Sequence, residues 1–221
     1  MIYKISDLYD LKHTLAADYL SRFVYPWEAL SGITDMLFHL GASLPKNEYD
    51  EVKPGVWVHK TAHVYDSAFL GTPCIIGAGS EVRHGAFIRG SALVGRDAVV
   101  GNSVELKNVI LFDHVETPHY NYVGDSILGF YAHMGAGSIT SNVKADRQPI
   151  VVKDGEEQIE TGLKKIGAML GDHVEIGCNA VLNPGTVVGR NAVVYPLSMV
   201  RGVVPADHIY KNSDSIVPKT Q

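Results

Sequence analysis

Val82-Arg83-His84-Gly85-Ala86-Phe87-Ile88-Arg89-Gly90-Ser91-Ala92-Leu93-Val94-Gly95-Arg96-Asp97-Ala98-Val99-Val100 decides the fold. An aliphatic residue returns at every sixth position (Val82, Ile88, Val94, Val100), and a small residue stands two places before each (Ser80, Ala86, Ala92, Ala98). The same register runs from Val58 through Val64, Leu70 and Ile76 and on to Leu106 and Phe112; a second run joins Leu170, Ile176, Leu182, Val188, Val194 and Val200, with Tyr122, Leu128 and Met134 between the two. A period of six contradicts the 3.6 of an α-helix and fits short strands of alternating faces broken by turns. One aliphatic side chain per edge then points into a triangular prism, and the small residue leaves room where edges converge. Turns such as Gly95-Arg96-Asp97 and Gly101-Asn102-Ser103 carry the residues that tolerate tight corners. Three edges make a coil of 18 residues, so the repeats predict an all-β solenoid, a parallel β-helix of about six coils over residues 56–204.

Either side of this ladder the pattern changes. Leu8, Leu11, Leu15 and Tyr19 follow Ser6 and Asp7 at helical spacing, and Pro26 can open a second helix carrying Leu30, Ile33, Leu37 and Leu40, closed by Gly41. Residues 1–55 therefore read as a short N-terminal helical extension packed on the first coils, with 42–55 as linker. Residues 141–165, a polar stretch with a hairpin around Ile150-Val151-Val152-Lys153-Asp154-Gly155, read as a loop projecting from the prism wall, and 205–221 as a tail.

Composition narrows the function. The chain has 221 residues, 46% of them hydrophobic, with 22 glycines and a net charge of −5; its cations are scattered, which excludes the basic stripe that nucleic acid requires. No stretch approaches the ~18 apolar residues of a membrane span. Cys74 and Cys178 sit far apart among aliphatic repeats, as free thiols do in a reducing compartment, so the expected location is the cytoplasm.

Three blocks carry a resemblance: Arg89-Gly90-Ser91-Ala92 through Val104-Glu105-Leu106-Lys107; Pro118-His119-Tyr120-Asn121-Tyr122-Val123-Gly124-Asp125-Ser126; and Met134-Gly135-Ala136-Gly137-Ser138-Ile139-Thr140-Ser141-Asn142. Together they resemble the acetyltransferase domain of the bifunctional sugar-1-phosphate nucleotidylyltransferase/glucosamine-1-phosphate acetyltransferases. Thr161-Gly162-Leu163-Lys164-Lys165-Ile166-Gly167-Ala168 with Gly171-Asp172 is similar to the archaeal-type members. No glycine-rich start followed by a βαβ pattern accompanies them, so the nucleotidyltransferase half is absent from this sequence.

The resemblance implies a left-handed winding, a homotrimer, and acetyl-CoA as acyl donor with no metal. It makes His119 the general base on an amino-sugar phosphate, since an ammonium has no lone pair and imidazole accepts a proton near neutrality. Glu105 could orient that imidazole. Oxyanion donors would come from backbone N–H groups around Gly135-Ala136-Gly137 or from Asn142. Arg89 and Lys107 match the residues holding the sugar phosphate, a guanidinium fork and an ammonium suiting a dianion. Tyr122 matches a tyrosine contacting the same ligand, although its place in the repeat reads as inward. His133 stands where the family has an asparagine contacting the sugar, and Cys178 where it has a serine near the thioester; Ala136, Gly137 and Cys178 are the donor-side candidates.

Two other readings use the same architecture. A zinc enzyme of the γ-carbonic-anhydrase type would use His114 and His119, but a third histidine ligand, expected near Ala78, is not in the sequence. A non-catalytic scaffold or regulatory subunit would need only the aliphatic ladder, not Arg89, Lys107, His119 and Asn142 together.

Overall fold

The computed structural model describes residues 1–220; residue 221, the last of the expected tail, lies outside the described residues. Each coil passes three walls. On the second wall His63–Val64, Glu81–Val82, Val99–Asn102, Glu116–His119, His133–Met134, Glu175–Ile176, Val193–Val194 and His208–Asn212 stack in parallel, and Ser215–Pro218 closes this nine-stranded sheet antiparallel. The first and third walls form one 13-stranded sheet, because Phe87–Val94, Glu105–Leu111 and Tyr122–Leu128 continue through the corner between them. The first wall also includes Cys74–Ile76, Ala168–Leu170 and Thr186–Val188; the third includes Phe69–Leu70, Ile139–Thr140, Val181–Leu182 and Met199–Val200. The fold is the left-handed parallel β-helix.

The ladder of eight parallel strands on the second wall exceeds the six coils that the sixfold register predicts. Of the missing repeats, Thr117 lies where coils lose a residue, Thr140 stands just before the inserted loop, and Val204 and Tyr210 follow Val200. Val82 pairs with Val100, 18 positions on, whereas Val100 pairs with Thr117 and Leu106 with Val123, each 17 on. This slip overturns two inward assignments. Leu111, not Phe112, pairs with Val94 in the inward column; Phe112 turns outward and is buried under Tyr9, their ring centroids 5.1 Å apart. Val123, not Tyr122, takes the next inward place, and Tyr122 pairs with Glu105 on the outer surface.

The first wall is apolar on both faces. Its outward residues Ile75, Leu93, Ile110, Ile127, Met169 and Val187 are all fully buried, and the sequence shows this as consecutive apolar triplets such as Cys74-Ile75-Ile76 and Val109-Ile110-Leu111. The N-terminal segment covers them. It runs antiparallel to the coil direction: the Tyr3 hydroxyl accepts from the Ala206 N–H, Asp10 N–H donates to Asp172, the His13 carbonyl accepts from the Asp113 N–H, and the Leu30 carbonyl accepts from Asn108. It reaches the first coil at Tyr49–Lys53, a strand within the stretch read as linker, which pairs antiparallel with Val56–His59. The extension thus packs on the first coils, as expected, and also runs on as a sheath along the rest of the wall.

Its helices also differ in extent from those predicted. The first consists of separate turns, Ile5–Leu8, Leu11–His13 and Ala17–Leu20, and Leu15 stays exposed while Tyr9 and Ala16 are buried. Contact with the wall, not helical periodicity, selects the buried set. Pro26–Gly32 is 3-10 and leads into the helix Ile33–Ser43, in which Gly41 is an interior residue pressed against Trp57 rather than a terminator.

Val151–Asp154 and Glu157–Glu160 form the expected hairpin, yet it does not project. Ile150 and Val152 are buried against the coil beside Gly185, and the N-terminal ammonium reaches Asp154 and Glu157. Apolar residues at alternate positions draw the hairpin back onto the wall.

Candidate functional site

The corner between the third and first walls collects polar side chains from successive coils. Arg89 Nη1 donates to Glu105 Oε1 at 2.8 Å. Lys107 Nζ donates to Asp125 Oδ1 and Oδ2 at 3.0 and 3.1 Å, and Asn108 Nδ2 donates to Asp125 Oδ1 at 2.9 Å. Asn142 Nδ2 reaches Asp125 Oδ2 at 2.6 Å and the Tyr122 hydroxyl oxygen at 3.2 Å. Asp125 is buried, and its carboxylate is the hub that Lys107, Asn108 and Asn142 share, beside the separate Arg89–Glu105 pair. The parallel ladder makes the arrangement: Lys107 pairs with Gly124, and Glu105 with Tyr122, so residues 17 positions apart become neighbours.

Charge is balanced inside the cluster. Hydrogen bonding and charge from Glu105 push the Arg89 guanidinium above its ordinary range. Burial first, then the Asp125 and Glu105 charges, pushes the Tyr122 phenol up, so it stays a protonated donor. Arg89 and Lys107 nevertheless border a cavity of ≈ 350 Å³, lined also by Thr34, Thr72, Gly90, Ser91 and Asn108. Arg89 has five N–H donors and Lys107 three, so their carboxylate partners do not exhaust them.

His119 lies at a different corner, between the second and third walls. It ends the strand Glu116–His119 with its side chain exposed and, among the described residues, without a side-chain hydrogen bond. Its backbone is held by Asn121, whose Oδ1 accepts from the His119 N–H at 3.1 Å while Nδ2 donates to the Gly135 and Ser138 carbonyls. Glu105 does not orient the imidazole, because its carboxylate is taken by Arg89. Gly137 N–H donates to the His119 carbonyl, Asn179 N–H to the Ala136 carbonyl and Leu197 N–H to the Cys178 carbonyl, so His119, Ala136, Gly137 and Cys178 stack in one column.

The oxyanion candidates narrow accordingly. Gly135 and Gly137 spend their N–H groups on the Ile176 and His119 carbonyls, and Asn142 spends its amide on Asp125 and Tyr122; among the described residues the Ala136 N–H alone of the three glycine-loop donors has no acceptor. Cys178 is exposed, whereas burial pushes the Cys74 thiol up to about 12.

His133 joins neither group. Its Nδ1 lies 2.9 Å from Glu175 Oε2 on the second wall, beside Glu116, His114 and Tyr131. His114 stacks on Tyr131 at 4.5 Å, at the opposite end of the strand Glu116–His119 from His119. Among the described residues no three His, Cys, Asp or Glu side chains are gathered to hold a metal ion, and no helix is long and apolar enough to cross a membrane.

Sequence reasoning missed Asp125, Asn108, Asn121 and Thr34. Asp125 stands inside a quoted motif, but an acid after glycine reads as a turn residue, and it does occupy the left-handed region at φ 49°. Thr34, far from the repeats, gives no signal.

No family model matches the chain. The chain is 30% identical over 119 residues to the bifunctional protein GlmU of Methanococcus maripaludis, covering 53% of this chain and 29% of that protein. It is 33% identical over 109 residues to the bifunctional sugar-1-phosphate nucleotidylyltransferase/acetyltransferase of Sulfurisphaera tokodaii, covering 49% of this chain and 27% of that protein. The match thus spans under a third of these relatives' length. Among solved structures, the polySia specific acetyltransferase NeuO aligns over 72% of this chain and 80% of its own, at 12% identity and a TM-score of 0.48.

Proposed function

We propose, from its homology over about half its length with the bifunctional nucleotidylyltransferase/acetyltransferase proteins, that this chain moves an acetyl group from acetyl-CoA to the amine of an amino-sugar phosphate of the glucosamine-1-phosphate kind, or of a nucleotide sugar. The observation that carries the reading is the gathering, at the edge of one cavity, of the Arg89–Glu105 pair beside the network that joins Lys107, Asn142 and Tyr122 around Asp125. A scaffold needs no such assembly. Arg89 and Lys107 receive the phosphate, and Tyr122 contacts the sugar.

The acceptor amine adds to the thioester carbonyl. As the N–C bond forms, the imidazole of His119 takes the amine proton; the C–S bond then breaks, and the departing thiolate of CoA takes that proton. Ala136 N–H donates to the oxyanion, with Gly137 and Cys178 flanking the pantetheine. His119 and the Asp125 network lie at different corners of the prism, so both serve one reaction when the third wall of one copy meets a neighbour's His119 corner. A homotrimer supplies that geometry. We place the protein in the cytoplasm, on two unpaired cysteines.

The test is thiol release from acetyl-CoA with a panel of amino-sugar 1-phosphates and nucleotide sugars. Turnover that falls at least about a hundredfold in His119→Ala, the scale of general-base catalysis, supports the assignment. A folded trimer that turns over no amine makes the chain a scaffold.

A further inference from the structure

The cavity beside Arg89 and Lys107 is closed on one side by a residue outside the hexapeptide ladder. Thr34 belongs to the helix Ile33–Ser43 of the sheath, and its Oγ1 lies 2.7 Å from the Ser91 Oγ across the cavity rim. One turn earlier in the sheath, the Leu30 carbonyl accepts from Asn108, which also bonds Asp125. The sheath makes other polar contacts with the solenoid, through Tyr3, Asp10 and His13, but of its residues Thr34 alone lines this cavity.

The donors left over can be counted. Thr72 commits its hydroxyl hydrogen to the Pro54 and Gly55 carbonyls. In the Thr34–Ser91 pair one hydroxyl donates to the other, which leaves one O–H free. Arg89 and Lys107 keep N–H donors beyond those given to Glu105 and Asp125. Spare N–H donors on two ion-paired cations and a free hydroxyl around a small cavity suit the three terminal oxygens of a phosphate monoester.

We infer that Thr34 is a ligand-binding residue: the sheath and the solenoid together form a receptor for a phosphate monoester, and Thr34 supplies the hydroxyl that completes it. That the monoester belongs to the acceptor rests on the proposed function; the receptor itself does not.

Equilibrium binding to the full chain tests this without turnover. Inorganic phosphate, glucosamine 1-phosphate and glucosamine are titrated into the wild type, Thr34→Val and Thr34→Ser, along with CoA and 3′-dephospho-CoA. Thr34→Val, losing one hydrogen bond to a charged group, weakens inorganic phosphate and glucosamine 1-phosphate about tenfold. Thr34→Ser restores both, glucosamine is unaffected, and the unfolding midpoint does not move. Unchanged phosphate affinity in Thr34→Val overturns the inference, as does a loss that Thr34→Ser fails to rescue and that accompanies a lowered midpoint. A loss for CoA but not for dephospho-CoA overturns the acceptor assignment, giving the cavity to the donor. Thr34-dependent phosphate binding with no acetyl transfer to any amine would uphold the receptor while refuting the transferase.

Discussion

Asp125 shows how much of the candidate site depends on one side chain. Its carboxylate is 4% exposed and accepts from Lys107, Asn108 and Asn142, while the Lys107 side chain is 28% exposed. Asp125→Ala leaves a partly buried ammonium without its partner and takes one acceptor from each of two amides. Removing one partner of a buried ion pair costs about 3 kcal/mol or more, and we expect that loss in urea unfolding of Asp125→Ala. Lys107→Met strands the carboxylate and costs a similar amount, but the double variant costs clearly less than the two added together, because neither charge is then left alone. Additive losses would mean that the pair is not coupled. The lysine, arginine, tyrosine and asparagine were legible because they stand at the spacings of a known motif. The acid that the lysine and the asparagine share was not, since spacing along a chain does not say which acid the coil buries.

At the scale of elements, the sixfold column specifies the walls wherever coils keep 18 residues, and it misleads wherever one residue is lost. A slip of one position exchanges the faces of a strand; hence Phe112 and Tyr122, both read as inward, lie outside the prism and serve sheath packing and the polar network instead. The sheath helices were legible in kind more than in extent. Gly41 illustrates the difference, because a glycine after Leu40 reads as a helix end, whereas the structure uses its missing side chain: a Cβ there would fall within the Trp57 indole. An exposed helix interior gains up to about 1 kcal/mol from Gly→Ala. Here Gly41→Ala must instead push the helix Ile33–Ser43 off the first coil, and overpacking of this kind costs about 1–3 kcal/mol. Thermal unfolding of Gly41→Ala should therefore show a lower midpoint; a higher one would mean that the helix does not press on Trp57.

The whole molecule is a prism with one wall covered and two open, and the chain begins by making the cover. Six large outward side chains, Ile75, Leu93, Ile110, Ile127, Met169 and Val187, rely on the sheath to leave water. Fully burying such residues contributes roughly 2 kcal/mol each, so uncovering them together removes on the order of 10 kcal/mol, comparable to the entire stability of an ordinary domain. A solenoid of independent coils would survive the loss of a terminal cap, since each repeat leans mainly on its neighbours. This one should not survive the loss of its sheath, which touches early and late coils alike through Asn108, Asp113, Asp172 and Ala206. A chain lacking residues 1–48 is expected to aggregate, or to bind a hydrophobic dye without a cooperative melt. Adding residues 1–48 back as a separate polypeptide should restore a cooperative transition if the sheath acts by covering the wall. A truncated chain that stays monodisperse and melts cooperatively would show that the coils stand alone, and that the sheath serves only the cavity that Thr34 completes.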